Sequence, residues 1–183
     1  MNDANRLPTA TEVVAFWRDA GYTKGFRGGE AFDVAVRERL EAAHFAAARR
    51  ELESWMDDAE GALALLILLD QVPRNIFRDS GHSYATAPLA LHYANRMLEA
   101  GLDQEVEAGL RVFCYLPFEH SEDLLDQERS VALARGLDAS YLDYAVRHFE
   151  VIERFGRFPH RNRALGRASS AEEQAWLDAG GGF

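Results

Sequence analysis

The sequence predicts an all-α protein, and two observations support this fold class. Apolar side chains recur at helical spacing through most of the chain, and no run of β-branched residues alternates at period two for long enough to build a sheet. The chain has 183 residues, 48% of them hydrophobic, which is enough to bury a core as one domain. We therefore expect residues 1–183 to form a single domain of about eight antiparallel helices packed in pairs.

Capping residues and helix breakers place the first two helices. Thr9 and Glu12 form a capping-box pattern before a helix that Gly21 should end. A longer, amphipathic helix is predicted from Phe32 to Leu52, with a charged face opposite its apolar stripe. The positions expected to face the core are Phe32, Val36, Leu40 and Phe45.

A fully apolar run predicts a third helix, from Ala59 to about Gln71. Pro73 disfavours helical geometry at the residue before it, so residues 74–86 are expected to form a turn and loop. Thr86 should cap the following helix, since a proline lies in its first turn, and Gly101 should end it. In this prediction, a polar loop directly follows a buried helix.

Four further segments complete the predicted bundle. Asp103 can cap a helix that runs through Tyr115, and Pro117 is expected to begin the next one, which ends at Gly136. Ser140 should cap a helix that extends to about Phe155. Ser169 and Ser170 each precede a glutamate by three residues, which predicts a final helix at the end of the sequence.

Composition excludes several classes of protein. A formal net charge of -10 argues against binding to nucleic acid or to an anionic membrane surface. The longest apolar run, from Ala62 to Leu69, is too short to span a bilayer, and the N-terminus lacks the features of a secretory signal, so we expect a cytoplasmic protein. Cys114 is the only cysteine and lies in an apolar run, which predicts a small core residue instead of a catalytic thiol.

A cationic segment stands out against this acidic background. Between Arg154 and Arg167 the chain has five arginines, one histidine and no acidic residue. Repelling cations are usually held together by an anionic ligand or by carboxylates elsewhere in the fold. The segment therefore predicts either a phosphate or carboxylate site or an internal salt-bridge network. The side chains that its turn should project are Arg157, His160, Arg161 and Asn162.

Two other polar clusters fall near breaks between helices. At the end of the third helix, Asp70 can pair with Arg74 and leave Asn75 to orient a ligand, although the same pair can simply staple the helix end. The second cluster has acid/base and metal-ligand spacing, but acidic residues in a first helical turn also complement the helix dipole. Its members are Glu119, His120, Glu122 and Asp123.

His148 lies on the apolar stripe of the helix predicted from Ser140, where a histidine must be hydrogen-bonded. It is either a satisfied core residue or part of a ligand site. If His120 and Glu122 held a metal ion, His148 and His160 would be the further ligands. The sequence itself assigns no metal site and no cofactor.

Taken together, the strings LDQVPRN, PFEHSED and RFGRFPHRN, with LGR and the final SAEEQAWL, resemble the bacterial family catalogued as domain of unknown function 924. The resemblance extends over most of the chain. It implies a tetratricopeptide-like superhelical arrangement of paired antiparallel helices, and it implies no particular activity. No fixed-period repeat is visible in the sequence itself.

The leading functional hypothesis is that the three clusters converge in one cleft of a small enzyme, a hydrolase or transferase, that binds a small anion. Two alternatives remain open, namely a tetratricopeptide-like module that binds a peptide or protein, and a metal-dependent hydrolase. The oligomeric state is not predicted. In the leading hypothesis the cations clamp the ligand, the amides orient it, and His120 or His160 with Glu122 moves protons. The ligand-binding set is Asp70, Arg74, Asn75, Glu119, His148, Arg157, Arg161 and Asn162.

Overall fold

The computed structural model describes residues 6–183, apart from the side chains of residues 22–27. Within this part of the chain the protein is all-α and contains no β-strand, which confirms the predicted fold class. The helices are α1 (Ala10–Arg27), α2 (Glu30–Ala48), α3 (Ala59–Leu66), α4 (Val72–Ile76), α5 (His82–Ala85), α6 (Ala87–Glu99), α7 (Val112–Glu119), α8 (Leu124–Ala134), α9 (Ala139–Phe155) and α10 (Ala171–Asp178). Short 3-10 turns occupy Glu53–Asp57, Leu102–Glu105 and Pro159–Arg161.

Several local signals in the sequence are borne out. Thr9 and Glu12 form reciprocal hydrogen bonds at the start of α1, and Ser170 forms a full capping box at the start of α10. Gly101 takes the left-handed conformation that ends α6. Gly21 also has a positive φ, of 67°, but it kinks α1 and the helix resumes beyond it. Capping and glycine signals therefore placed several helix ends correctly. The helix predicted from Asp103 through Tyr115 is an exception, because Leu102–Glu105 form only a 3-10 turn and α7 begins at Val112.

The core is built around α3, whose residues from Ala62 onward are fully buried, as the apolar run predicted. Helices α1, α6 and α7 pack against α3, and Trp17 of α1 contacts Phe113 of α7 edge to face at 6.2 Å between ring centroids. Cys114 lies fully buried in the same core, as expected. Among the described residues, no helix is both long and apolar enough to cross a lipid bilayer.

Helix α2 departs from its predicted course. It ends at Ala48 instead of Leu52, since the chain turns there and Arg50 adopts a positive φ of 63°. Phe45, predicted to face the core, is 36% exposed, which corrects that prediction. The buried stripe of α2 passes through His44 instead, one residue or about 100° away around the helix.

Pro73 does not end the third helix. A π-helical turn over Ile67–Gln71 joins α3 to α4, and Val72 donates its N–H to the carbonyl of Ile67, five residues back. Two carbonyls lose their usual partners: that of Leu68, because Val72 bonds further back, and that of Leu69, because a proline four residues on has no N–H. The predicted loop after Pro73 accordingly contains the end of α4 and the short helix α5.

Side chains satisfy both of these carbonyls. The Nδ1 atom of His44 lies 2.8 Å from the Leu68 oxygen, and the Thr86 hydroxyl donates to the Leu69 oxygen at 2.5 Å. The sequence predicted that Thr86 caps α6, but its side chain does not do so. Its hydroxyl instead bonds to the π turn. The turn is a fully hydrogen-bonded element, and it carries Asp70 and Gln71.

Pro117 lies inside α7 instead of beginning a helix. The next helix, α8, begins at Leu124 with Asp123 as its N-cap. Glu119 is thus the last residue of α7, and the expectation that it complements the N-terminal dipole of a helix is wrong. Every side chain of α7 is buried, so packing offsets the hydrogen bond that the proline removes.

Helices α7, α8 and α9 pack consecutively against one another. A small second cluster lies beyond them, where Ile152 and Phe158 are buried and Trp176 of α10 packs against them. Helix α9 begins after Asp138, whose side chain accepts from the Ser140 N–H, so the cap lies two residues before the predicted one. This part of the fold carries the cationic segment back toward α7.

Candidate functional site

The three polar clusters meet at one cavity with a volume of about 630 Å³. It lies between α4 and α5, the end of α7, one side of α9 and the 3-10 turn at Pro159–Arg161. Seven of the residues singled out in the sequence line it: Arg74, Asn75, Glu119, His120, His148, His160 and Arg161. Segments far apart in the sequence therefore contribute to a single polar pocket.

Asp70 forms the floor beneath this cavity. It is 2% exposed and accepts hydrogen bonds from Gln71 at 2.7 Å, Arg74 at 3.1 Å and the Nδ1 atom of His120 at 2.8 Å. Burial would raise the pKa of Asp70, but the contacts with His120, Arg74 and Gln71 outweigh it and lower the pKa below its usual value. The ionised carboxylate thus fixes the orientation of both the imidazole and the guanidinium.

Arg161 is buried without a counter-ion. It is 5% exposed, and no described carboxylate lies within salt-bridge distance of it. Its Nη1 donates to the carbonyl of His120 at 2.9 Å, and its guanidinium stacks on Tyr84 at 4.9 Å and Phe158 at 4.1 Å. Burial and the charge of Arg74 lower the pKa of Arg161 to about 9, so it remains charged at neutral pH.

The guanidiniums keep unused donors. The Nε atoms of Arg74 and Arg161 are both buried, and neither forms a hydrogen bond with a described residue. Asn75, by contrast, is committed, because its amide nitrogen donates to the Gln71 carbonyl at 3.0 Å and its oxygen accepts from Arg78 at 3.4 Å. The amide of Asn75 is thus used in protein contacts, whereas each guanidinium retains one buried Nε donor without a described protein partner.

Three histidines in the cavity are neutral at pH 7. Burial, followed by the charge of Arg74, lowers the pKa of His120 to about 4, and burial with the charge of Arg161 lowers that of His160 to about 4. Burial also lowers the pKa of His148 well below its ordinary value. Neutral imidazoles can accept protons or bind metal ions.

Glu119 lies beside His148 at the end of α7. Its Oε1 is 3.4 Å from the Nδ1 of His148, and burial together with the charge of Asp70 raises the pKa of Glu119 to about 8. His148 is hydrogen-bonded, as a buried histidine should be, because its Nδ1 lies 2.8 Å from the carbonyl of Tyr144. Both residues also line the cavity.

Four predicted site residues do not line the cavity. Asp70 lies buried beneath it, and the other three are held in structural contacts nearby. Glu122 accepts from Arg167 at 2.7 Å and from the backbone N–H of Phe158 at 2.8 Å. Arg157 forms an ion pair of 2.6 Å with Glu173. The amide of Asn162 binds Ser169 at 3.1 Å and Arg167 at 2.9 Å. The salt-bridge interpretation thus holds for part of the cationic segment, and the ligand interpretation remains open for Arg161.

The structure adds cavity residues that sequence reasoning did not assign to a site. Tyr141 and Tyr144 precede His148 on α9 by seven and four residues, and helical spacing from His148 could have identified them. The ring of Phe183 stacks on His148, with 3.6 Å between centroids and 15° between planes. No local pattern in the sequence connects Phe183 with α9, so only the fold reveals this contact.

The family model of bacterial proteins of unknown function named DUF924 matches residues 13–181. The chain belongs to the DUF924 family. The resemblance seen in the motifs is thereby confirmed. A solved structure, that of the protein of unknown function ATU0120 from Agrobacterium tumefaciens, is 49% identical and superposes with a TM-score of 0.91. The match covers 93% of this chain and 97% of that one. No curated protein matches the chain.

Proposed function

We propose that this DUF924 protein binds a small phosphate or carboxylate ligand in the cavity and acts on it as a hydrolase or transferase. The observation that supports this proposal is the buried guanidinium of Arg161, which faces the cavity without a carboxylate partner. A buried, uncompensated charge costs several kcal/mol, about 3 to 5 by comparison with broken buried pairs. A bound anion would offset that cost.

The positions of the cations suit this role. Arg74 and Arg161 both line the cavity, and the charge of Arg74 contributes to the lowered pKa of Arg161. Of the two arginines, only Arg74 forms an ion pair with Asp70, at 3.1 Å. Planar guanidiniums match the oxygens of phosphate and carboxylate groups, so an anion between the two arginines would bind both.

His160 is the proton acceptor that we assign to the reaction. It lines the cavity next to Arg161, is neutral at pH 7, and its Nδ1 forms no hydrogen bond with a described residue. A neutral imidazole beside a bound anion can take a proton from water or from a hydroxyl group. This arrangement fits hydrolysis or group transfer.

A peptide-binding module of tetratricopeptide-like form is the second candidate. The consecutive packing of α7, α8 and α9 is the observation that favours it. Under this candidate Arg161 would serve only as a lock between elements, and small anions would not stabilise the protein. A cytoplasmic location stays a prediction under either candidate.

Calorimetric titration with inorganic phosphate, followed by a panel of small carboxylates, tests the proposal. The measurement compares the wild type with Arg161→Gln and with Arg157→Gln, whose side chain is paired with Glu173 outside the cavity. We expect saturable binding to the wild type, a loss of at least about 10-fold in affinity for Arg161→Gln, and no change for Arg157→Gln.

Circular dichroism checks that each variant is folded. If Arg161→Gln does not fold, Arg161→Lys keeps a cation in place while losing the planar fork, and its weaker binding would support the same assignment. Equal affinity in the wild type and the folded Arg161 variant would contradict the proposal, as would the failure of every anion in the panel to bind the wild type.

A further inference from the structure

Three side chains in the cavity wall have the composition of a metal site. Glu119, His120 and His148 each offer one ligand atom, and these atoms all lie within 4.8 Å of one another. Glu119 and His148 are buried, at 8% and 4% exposure, and all three border the 630 Å³ cavity. Two imidazoles and one carboxylate are a ligand set that zinc and similar divalent ions bind when one coordination position stays open.

The surroundings of the two histidines strengthen this assignment. Asp70 binds the Nδ1 of His120 at 2.8 Å, and the carbonyl of Tyr144 binds the Nδ1 of His148 at 2.8 Å. An oxygen acceptor thus lies beside the Nδ1 of each ring, and in the tautomer with the proton on Nδ1 the lone pair for a metal is on Nε2. Histidines that bind metals usually donate their other N–H to a carboxylate or a backbone carbonyl in this way.

The neighbouring ring and charges bear on how an ion would approach the trio. Phe183 stacks on the face of His148, whereas a metal would approach the ring edge in its plane. The cations of Arg74 and Arg161 oppose a divalent ion, whereas the ionised carboxylate of Asp70 favours it. Glu119 binds an ion only in its deprotonated form, so metal uptake would release the proton of Glu119.

We infer that Glu119, His120 and His148 form a binding site for a divalent transition-metal ion of the zinc class, open toward the cavity. The site differs from the one considered from the sequence, because Glu122 is held by Arg167 and Glu119 takes its place. An ion there would face the side of the cavity that holds Arg74 and Arg161 and could polarise an anion bound between them. The inference does not depend on the anion, since the ligand set is complete without it.

Metal content and cobalt spectroscopy of the full chain test the inference. The purified protein is stripped with a chelator, incubated with zinc chloride, desalted and measured by elemental analysis. We expect about one zinc per chain for the wild type, by analogy with other sites of three protein ligands. Cobalt(II) in place of zinc should give visible absorption bands of a low-coordinate complex. Glu119→Gln and His148→Gln should each abolish stoichiometric zinc.

Two further variants separate ligation from general effects on the cavity. His160→Gln, at a histidine of the same cavity outside the trio, should bind zinc as the wild type does. Asp70→Asn should weaken zinc affinity by about 10- to 100-fold, the range for partners of metal-binding histidines. A wild type that takes up no zinc and gives no cobalt bands, or folded trio variants that keep both, would overturn the inference. If the variants do not fold, the cobalt spectrum of the wild type alone decides.

These measurements and the anion titration can fail separately. Zinc uptake is measured without phosphate, and phosphate binding is first measured with metal-free protein from which the chelator has been removed by desalting. Zinc binding with no anion binding would uphold the metal site and contradict the proposed function. Anion binding by a protein that takes up no zinc would support the proposed function and contradict the metal site.

Discussion

At the scale of single residues, the site depends on one buried carboxylate. Asp70 contacts His120 and Arg74 at once, and it does so from a position that is 2% exposed. A buried ion pair is costly to form, but removing one partner is costlier still, because the other charge is left in the interior. Asp70 therefore stabilises the fold and orients the site with the same atoms.

Asp70→Asn should lower the free energy of unfolding by about 3 kcal/mol, because Arg74 loses its counter-ion in a buried setting. Asp143→Asn is a matched control, since Asp143 and Arg147 form the same i,i+4 pair with both side chains 59% exposed. The control should lose less than about 1 kcal/mol. Urea unfolding at pH 7 measures both, and losses of equal size would show that burial of the pair is not the cause.

His160 should make stability depend on pH. Its folded pKa is lowered from 6.5 to about 4, so the unfolded chain takes up the proton first as the pH falls. The contribution of neutral His160 to the free energy of unfolding is present above about pH 6.5 and is lost toward pH 4. The free energy of unfolding should fall by about 2 kcal/mol between pH 7 and pH 5 from this histidine. His160→Gln should reduce this pH dependence in urea unfolding, whereas His92→Gln, at an exposed position, should keep it. Identical pH profiles for the wild type and His160→Gln would contradict the assignment.

At the scale of elements, the π turn between α3 and α4 governs how the site is presented. It carries Asp70 and Gln71, and it is held by His44 of α2 and by Thr86, which lies between α5 and α6. These outside bonds replace hydrogen bonds that the backbone cannot make for itself. A short π-helical turn inside an α-helix frequently marks a functional site.

Thr86→Val should destabilise the protein by about 1 to 3 kcal/mol, because the shape is kept while the buried Leu69 carbonyl loses its donor. Thr11→Val removes a hydroxyl that binds Glu60 at the surface, with a distance of 2.6 Å, and should cost less than about 1 kcal/mol. Thermal unfolding followed by circular dichroism compares the two variants. A larger loss for Thr11→Val would contradict the role given to Thr86.

The sequence predicted the elements whose signals are local. Periodicity placed the core helix, and the capping box at Ser170 and the glycine at Gly101 placed helix ends, because these effects act within one turn. The two internal prolines were misread. At Pro73 and Pro117 the backbone conformation depends on packing and on hydrogen-bond donors from distant parts of the chain. The few residues on either side of each proline do not reveal these contacts.

The site could be predicted in composition but not in its contacts. The three polar strings meet at the cavity, yet which carboxylate pairs with which arginine depends on tertiary distances. Glu119 faces the cavity, whereas Glu122 pairs with Arg167. The difference arises because α7 ends at Glu119, so the two glutamates do not lie on one helix as the sequence predicted. Spacing alone treats the two glutamates as equivalent.

At the scale of the whole molecule, Cys114 reports on the integrity of the core. Its side chain is fully buried on α7, and burial raises the pKa of the thiol, so the reactive thiolate is scarce in the folded protein. A thiol reagent should therefore label the native protein at least about 1000-fold more slowly than the urea-unfolded chain, with labelling governed by global opening. Rapid labelling without loss of helical signal would instead reveal local opening at α7.

The π turn also sets the angular position of everything that follows it. Each residue in a regular α-helix advances the chain by about 100°, so a turn of different pitch rotates the next segment about the helix axis. If Ile67–Gln71 became regular α-helix with all five residues kept, α4 would rotate by about 100°, and Arg74 and Asn75 would turn away from the cavity while α3 stayed in place. The cavity is thus coupled to helix phase, and a change of pitch in this segment would alter the site without changing the residues of the core.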